Sequence, residues 1–362
     1  MTLSQVPQRD SAPDTKSNGK LDGKQNAEAR AKAIEAFLNE FAPGENQDLA
    51  AEMLVTVCRL ARDGCGRGEM KVLNRALKEL RYAFKTFTPY EEFPKCTIFG
   101  SSRTREDHPQ YQQCVKFARL IQEQGWMVIT GAGDGIMRAG HHGATREKSF
   151  GVAISLPFEQ STNTIIEGDP KLVKFKYFFT RKLMFVKEAE AIVLCPGGFG
   201  TQDEGFESLT LVQTGKSSPM PIVLLDEPRG TYWQHWRTYV QSELLRTGMI
   251  SPDDMNLFFL TDSAEDAVKE IVRFYRRYHS SRFVQDNFVI RMKSPLPDGM
   301  VHQLNEEFED LLQGGDIAQT MKALPEEGDE FVDLPRLVFA YDKKSAGRLR
   351  HLINTINDYE AK

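Results

Sequence analysis

Two glycine-rich turns hold the residues with the clearest chemical potential. The first is Thr130-Gly131-Ala132-Gly133-Asp134-Gly135-Ile136-Met137, and the second is Pro196-Gly197-Gly198-Phe199-Gly200-Thr201. Each follows an apolar run of strand character and precedes a segment of helical spacing. Glycine lets backbone approach a ligand closely, and an exposed helix N-terminus attracts an anion. Neither turn is a dinucleotide fingerprint: G-x-G-x-x-G fails from Gly131, which meets Ile136, and from Gly133, which meets Arg138. Nor is there a Walker A loop, because the only Gly-Lys-Ser, at Gly215-Lys216-Ser217, has Thr210 where the leading glycine belongs. Two such turns in one chain point to a phosphorylated small molecule. Thr201, with Ser101 or Ser102 from the segment after the first strand, would add hydroxyl donors to the phosphate.

The charged residues around these turns admit two readings. Thr201-x-x-Glu204 fits a capping box, with Asp203 favoured by the helix dipole, and that accounts for both acids without catalysis. Arg181 and Lys182 follow Thr180, a plausible N-cap, and two cations in a first helical turn oppose the dipole. A nearby anion, either a phosphate or a carboxylate such as Glu204, would offset them; the other reading is a solvated surface pair. His141 and His142 lack clustered Cys or carboxylate partners, so no metal site is expected. There is no G-x-S-x-G elbow. Trp233 and Trp236 read as core or interface.

These residues need a scaffold that brings strand ends together. Short apolar runs at 95–100, 126–130, 151–156, 172–178, 191–194, 221–225 and 257–260 alternate with helical spacing at 109–124, 136–147, 180–189, 201–213, 233–247 and 264–278. That alternation predicts an α/β fold, a Rossmann-like doubly wound parallel sheet covered on both faces. Ligands in such sheets bind beyond the carboxyl ends of the strands, where both glycine turns fall. Ahead of it, residues 1–27 read as a disordered tail and 28–93 as a helical N-terminal segment of three helices. The main domain spans 94–279. A small α+β appendage of β-α-β-α pattern occupies 280–362, with strands at 288–292 and 337–341 and helices at 301–312 and 345–356.

Composition excludes several classes. With 46 Lys+Arg against 51 Asp+Glu, the net charge of −5 supplies no basic field for nucleic acid. No apolar run approaches the roughly 18–20 residues that cross a bilayer, and the polar N-terminus has no secretory h-region. Five scattered cysteines without a CxxC pair suit a reducing cytoplasm. A cytoplasmic protein that binds neither nucleic acid nor membrane is expected.

Pro196-Gly197-Gly198-Phe199-Gly200-Thr201-Gln202-Asp203-Glu204, preceded by Arg181-Lys182, resembles the PGGxGTxxE and RK signatures of the "Lonely guy" (LOG) family. The resemblance runs from about Thr97 to Tyr278. It includes Phe99-Gly100-Ser101-Ser102, the first glycine turn, Leu156-Pro157-Phe158-Glu159-Gln160 with Asn163, and Gln213-Thr214-Gly215-Lys216. The form of the first turn is closer to the longer bacterial members. Such sequences often carry a lysine decarboxylase label, for which no pyridoxal-phosphate lysine context is visible. The resemblance implies hydrolysis of the N-glycosidic bond of a nucleoside 5′-monophosphate (AMP or an N6-modified AMP) to free base and ribose 5-phosphate, without metal or organic cofactor.

It further implies Glu204 beside the ribose, Arg181 as its catalytic partner, and Lys182 assisting binding. Gly133, Gly135, Gly197, Gly198, Gly200 and Thr201 would form the phosphate cradle, with Gly100, Ser101, Ser102, Gly131 and Pro196 around it. Met137 and Asn163 would lie near base or ribose. A second glycosidase carboxylate is not evident, since Asp203 points about 100° away from Glu204 on a helix and Glu207 lies further along. Ala132 and Asp134 depart from the family turn, and Asp134 sets a negative charge near the expected phosphate. A homo-oligomer, dimer or higher, is expected. The competing reading is a non-catalytic nucleotide- or molybdenum-cofactor-binding carrier or sensor on the same fold.

Overall fold

The computed structural model describes residues 19–155, 162–328 and 331–359. The 156–160 motif and residues 1–18 of the expected tail lie outside the described residues. The chain divides into two compact units, Met1–Asn74 and Arg75–Lys362. In the first, helices α1 (Gly19–Phe41) and α2 (Gln47–Arg62) precede the start of α3 (Arg67–Phe87). Helix α1 thus begins inside the stretch read as tail. The apolar stripe of α2 leaves Leu49, Met53 and Val57 about half exposed.

The second unit is built on seven parallel strands: β1 (Lys95–Phe99), β2 (Met127–Thr130), β3 (Ser149–Ile154), β4 (Leu172–Phe175), β5 (Ala191–Leu194), β6 (Ile222–Leu225) and β7 (Phe259–Thr261). Helices α4 (Pro109–Glu123), α5 (Ile136–Ala144), α6 (Phe178–Lys187), α7 (Phe199–Gln213), α8 (Tyr232–Tyr239) and α9 (Ala264–Phe274) join them. The strands are largely apolar because helices cover both faces, and the two-residue period sorts each strand between two cores. Cys96, Ile98, Ala191 and Val193 face one core with α4, α5 and α9. Phe99, Ile192 and Leu194 face the other, with residues of α6, Val212 of α7 and Trp233 of α8. Trp233 is therefore core, as its spacing suggested.

Spatial order is β4-β3-β2-β1-β5-β6-β7, so the winding reverses between β1 and β5. The carboxyl ends of those two strands deliver Gly100–Ser102 and Pro196–Gly198, at the switch point where an open α/β sheet leaves a crevice.

The appendage carries more strand than its sequence pattern suggests. β8 (Tyr278–Val284), β9 (Asn287–Met292), β10 (Ala318–Thr320) and β11 (Arg336–Phe339) form an antiparallel sheet in the order β10-β11-β9-β8, with α10 (Asp298–Glu307) and α11 (Ala346–Asp358). The sequence reading missed β8 and β10 and ran α9 on to Tyr278, because Tyr278–Val284 is half polar and sits at a sheet edge. Likewise the helix expected over 233–247 is α8 followed by a π-helical turn at Val240–Leu245. Helix α11 returns to the main sheet: Arg350, buried, donates to the Met220 carbonyl and pairs with Glu270 at 2.6 Å.

Candidate functional site

A cleft of about 880 Å³ opens over the β1/β5 switch point. Of the residues singled out by sequence, Gly100, Ser101, Ser102, Gly131, Met137, Arg181, Gly197, Gly198, Gly200, Thr201 and Glu204 line it. Gly133, Gly135, Asn163, Lys182 and Pro196 do not. They stand in the layer behind.

The second glycine turn meets the cleft through the first turn of α7. That helix begins at Phe199 with Gly198 as N-cap and no side-chain cap, so the capping box expected from Thr201 and Glu204 is not formed. The first intrahelical bond runs from the Gln202 amide to the Gly198 carbonyl. The amides of Phe199, Gly200 and Thr201 precede it, at the positive end of a 15-residue helix. No acidic side chain stands in that first turn. This is the arrangement that receives a phosphate.

The first turn does different work. The Ile136 amide at the start of α5 donates to the Ser101 carbonyl at 3.0 Å, so this turn braces the β1 loop. Gly135 has φ +62°, and a Cβ there would overlap the Ser101 carbonyl. Asn163 holds the turn from the other side: its amide donates to the Ala132 carbonyl at 2.8 Å and its Nδ2 to the Gly133 carbonyl at 2.9 Å. His141 orients Asn163. Buried completely, its Nε2 sits 3.1 Å from the Phe150 carbonyl and 2.9 Å from Thr130 Oγ1, with Nδ1 facing the Asn163 amide at 3.1 Å. The carbonyl requires a donor, so Nε2 carries the proton and Nδ1 accepts. Burial holds the His141 pKa below its ordinary value, which keeps the ring neutral. Sequence reasoning had left His141 without a role.

Helix α6 presents Arg181. It starts at Phe178 after Tyr177, so Thr180 is not its N-cap, and Arg181 and Lys182 fall beyond the first turn. Thr180 instead donates to Glu79 Oε2 at 2.8 Å, while the Lys176 amide donates to Glu79 Oε1 at 2.7 Å. Burial acts to raise the Glu79 carboxyl, but these bonds and the Arg75 guanidinium bring it below the ordinary value. Glu79 of α3 thereby fixes the start of α6. Arg181 Nε donates to the Val152 carbonyl at 2.9 Å, and its guanidinium lies 5.0 Å from the Phe185 ring centre. A Cβ on Gly131 would stand 2.5 Å from Arg181 Nη2 and 2.6 Å from Met137 Sδ. Glycine at 131 makes room for both side chains.

Glu204 lies across the cleft on α7, its side chain 13% exposed. Burial raises its pKa to about 7; Lys182 and Arg181 pull the other way, while Glu207 and Asp203 reinforce the rise. Lys182 Nζ contacts Glu207 at 2.6 Å, Asp203 at 2.8 Å and Glu204 at 3.7 Å. Its charge is thus tied up among three carboxylates of α7, two of which line the cleft. Asp203 and Glu207, set aside on helix geometry, are the groups that engage it.

Sequence reasoning missed other lining residues. Tyr232, the first residue of α8, donates to the Gly197 carbonyl at 2.6 Å and accepts from Gln202 Nε2 at 2.6 Å. Only the β5/β6 adjacency brings it there. Arg103 also lines the cleft, its amide bonded to Ser101 Oγ at 3.1 Å; its position one residue past Ser102 was the available signal. No grouping of His, Cys, Asp and Glu suited to hold a metal occurs among the described residues.

Comparison with known proteins narrows the assignment. Residues 132–271 match the family model described as "Possible lysine decarboxylase". The chain is 25% identical over 186 residues to the cytokinin riboside 5′-monophosphate phosphoribohydrolase LOG7 of Arabidopsis thaliana, covering 49% of this chain and 81% of that protein. It is 26% identical over 153 residues to the cytokinin riboside 5′-monophosphate phosphoribohydrolase of Mycobacterium tuberculosis, covering 41% and 78%. The family match and both relatives support placing this part of the chain with the LOG family. The cleft is lined by residues from Phe99 at the end of β1 to Tyr232 at the start of α8, most of them within the stretch aligned with these relatives. Among solved structures, the molybdenum cofactor binding protein of Rippkaea orientalis aligns with TM-score 0.36 and 16% identity, over 50% of this chain and 96% of that one. No helix among the described residues is long and apolar enough to cross a membrane.

Proposed function

We propose that the LOG domain hydrolyses the N-glycosidic bond of a nucleoside 5′-monophosphate, releasing free base and ribose 5-phosphate. The observation that carries this reading is a largely covered carboxyl of pKa about 7, Glu204, in one cleft with Arg181 and with the uncapped N-terminus of α7. The phosphate would sit on the amides of Phe199, Gly200 and Thr201, with Ser101 and Ser102 alongside. That anchor sets the ribose between Arg181 and Glu204. The base leaves with the electron pair of the C1′–N bond and takes up a proton. Positive charge builds on the ribose, and an ionised Glu204 in a water-poor site stabilises it. Water then adds at C1′ and gives a proton to Glu204, which passes it to solvent, balancing the solvent proton the departing base takes up. AMP or an N6-modified AMP is the proposed substrate.

Self-association belongs to the same reading. Phe178 and Phe199 at the cleft are 51% and 97% exposed, an apolar rim that a second copy of the chain would cover. Light scattering on the intact chain gives the oligomer number, and a monomer at all concentrations refutes that part.

The test of the activity is direct. AMP, GMP, CMP, UMP and N6-isopentenyl-AMP are incubated with the protein, and base and ribose 5-phosphate are quantified beside a Glu204→Ala control. Release that disappears in the control is expected. Bound nucleotide with no release from any of the five overturns the hydrolase and leaves a carrier or sensor.

A further inference from the structure

Helix α3 precedes the residues that the family model matches, yet it aims a carboxylate at the start of the helix that presents Arg181. The Glu79 side chain is 3% exposed. Burying a charge costs free energy that an apolar contact would not, so cohesion between two elements gives no reason to place one there. What a carboxylate adds is direction. Oε1 accepts from the Lys176 amide at 2.7 Å and from Arg75 Nε at 2.7 Å, and Oε2 accepts from the Thr180 hydroxyl at 2.8 Å. Lys176 and Thr180 flank Tyr177, the N-cap of α6, which supplies no side-chain cap of its own. Two oxygens on two donors fix both the position of that helix start and its rotation. The negative charge also suits the positive end of α6.

Arg181 is the residue after Thr180, and α3 reaches its other support as well. Arg181 Nε donates to the Val152 carbonyl of β3. The Phe87 ring at the end of α3 stacks on Phe150 of the same strand, with ring centres 4.3 Å apart and planes 11° from parallel. Phe87 and Ala83, one turn before it, are both buried in the core that this strand shares with α6. One helix thus braces the backbone from which Arg181 projects and the strand that receives its guanidinium.

We propose that Glu79 is a positioning residue for the glycine-lined cleft: through Thr180 and the Lys176 amide it sets where Arg181 stands, so that α3 takes part in the reaction without touching substrate. A displacement of about 1 Å at a reacting group can cost about 100-fold in rate. The inference rests on the hydrolase reading for its consequence in turnover, and stands apart from it in what it asserts about the placement of Arg181.

Glu79→Gln in the full chain keeps the size, removes the charge and turns an amide N–H toward one of the two donors. Its kcat for base release from AMP should fall at least about tenfold. KM, and the calorimetric affinity for ribose 5-phosphate, should stay within about threefold, because the amides at the start of α7 are untouched. Thr180→Val should reproduce the loss, and Thr180→Ser, which keeps the hydroxyl, should retain the unaltered rate. A readout independent of turnover is the Nε–H resonance of Arg181 in protein with isotopically labelled arginine, assigned by its disappearance in Arg181→Lys. It should shift in Glu79→Gln and Thr180→Val and hold its place in Thr180→Ser. An unshifted resonance overturns the proposal, as does a loss of kcat matched by an equal loss of ribose 5-phosphate stoichiometry, which marks unfolding alone. If the unaltered protein releases no base, the hydrolase reading falls and the resonance by itself decides the placement of Arg181.

Discussion

Replacing Glu204 by Gln should stabilise the second unit at alkaline pH and leave it almost unchanged in acid. Gln has nearly the same size and cannot ionise. The folded carboxyl titrates at about 7 against an ordinary 4.5, because burial disfavours its charged form. As pH rises through 4.5 the unfolded chain loses this proton first, while the folded chain keeps it until about 7. Between the two the folded state binds more protons, so the native protein loses stability across that window and levels off above it. At about 1.36 kcal/mol per pH unit, the gap comes to about 3 kcal/mol in favour of the Gln protein at about pH 8. Urea unfolding followed by tryptophan fluorescence measures it, since Trp126, Trp233 and Trp236 all lie in the second unit. Taking the difference between the two proteins at each pH cancels the other titrating groups. A difference that stays constant from about pH 4 to pH 8, or a Gln protein less stable at pH 8, refutes the reasoning.

Three other perturbations probe the same architecture. In the base-release assay the activity should rise with pH around 7 as Glu204 ionises, and Lys182→Met, which removes a cation that lowers its pKa, should move that rise to higher pH; an unmoved profile counts against the Lys182–Glu204 coupling. Gly131→Ala places a methyl against Arg181 Nη2 and Met137 Sδ, so base release should fall by about 100-fold with the melting temperature changed by only a few degrees. Equal activity there means that Arg181 does not act from its observed position. Thr180→Val removes a donor to the buried Glu79 carboxylate and should cost about 1–3 kcal/mol in urea unfolding, and a loss below about 0.5 kcal/mol contradicts the anchoring of α6.

The layers of the main domain and the positions of its glycine turns are legible in the amino-acid pattern. Runs such as Ala191–Leu194 are too short and too apolar for anything but a strand buried on both faces, and the glycine clusters after β2 and β5 limit where the chain can turn. That Arg181 and Glu204 come to one cleft was also legible, from motif spacing and the resemblance it carried. Helix starts were not. Thr180 and Thr201 both looked like caps, yet Thr180 is claimed by Glu79, 101 residues away, and α7 begins earlier because Gly198 needs no side chain to turn.

Tertiary structure alone decided the rest. The destination of Lys182 depends on three carboxylates of the adjacent helix, and the pKa of Glu204 on how much protein covers it. Tyr232 reaches the Gly197 carbonyl only because β6 lies beside β5. Local pattern encodes which face of an element is apolar; desolvation and long-range ion pairing depend on the neighbours that face finds, and no window of sequence contains them.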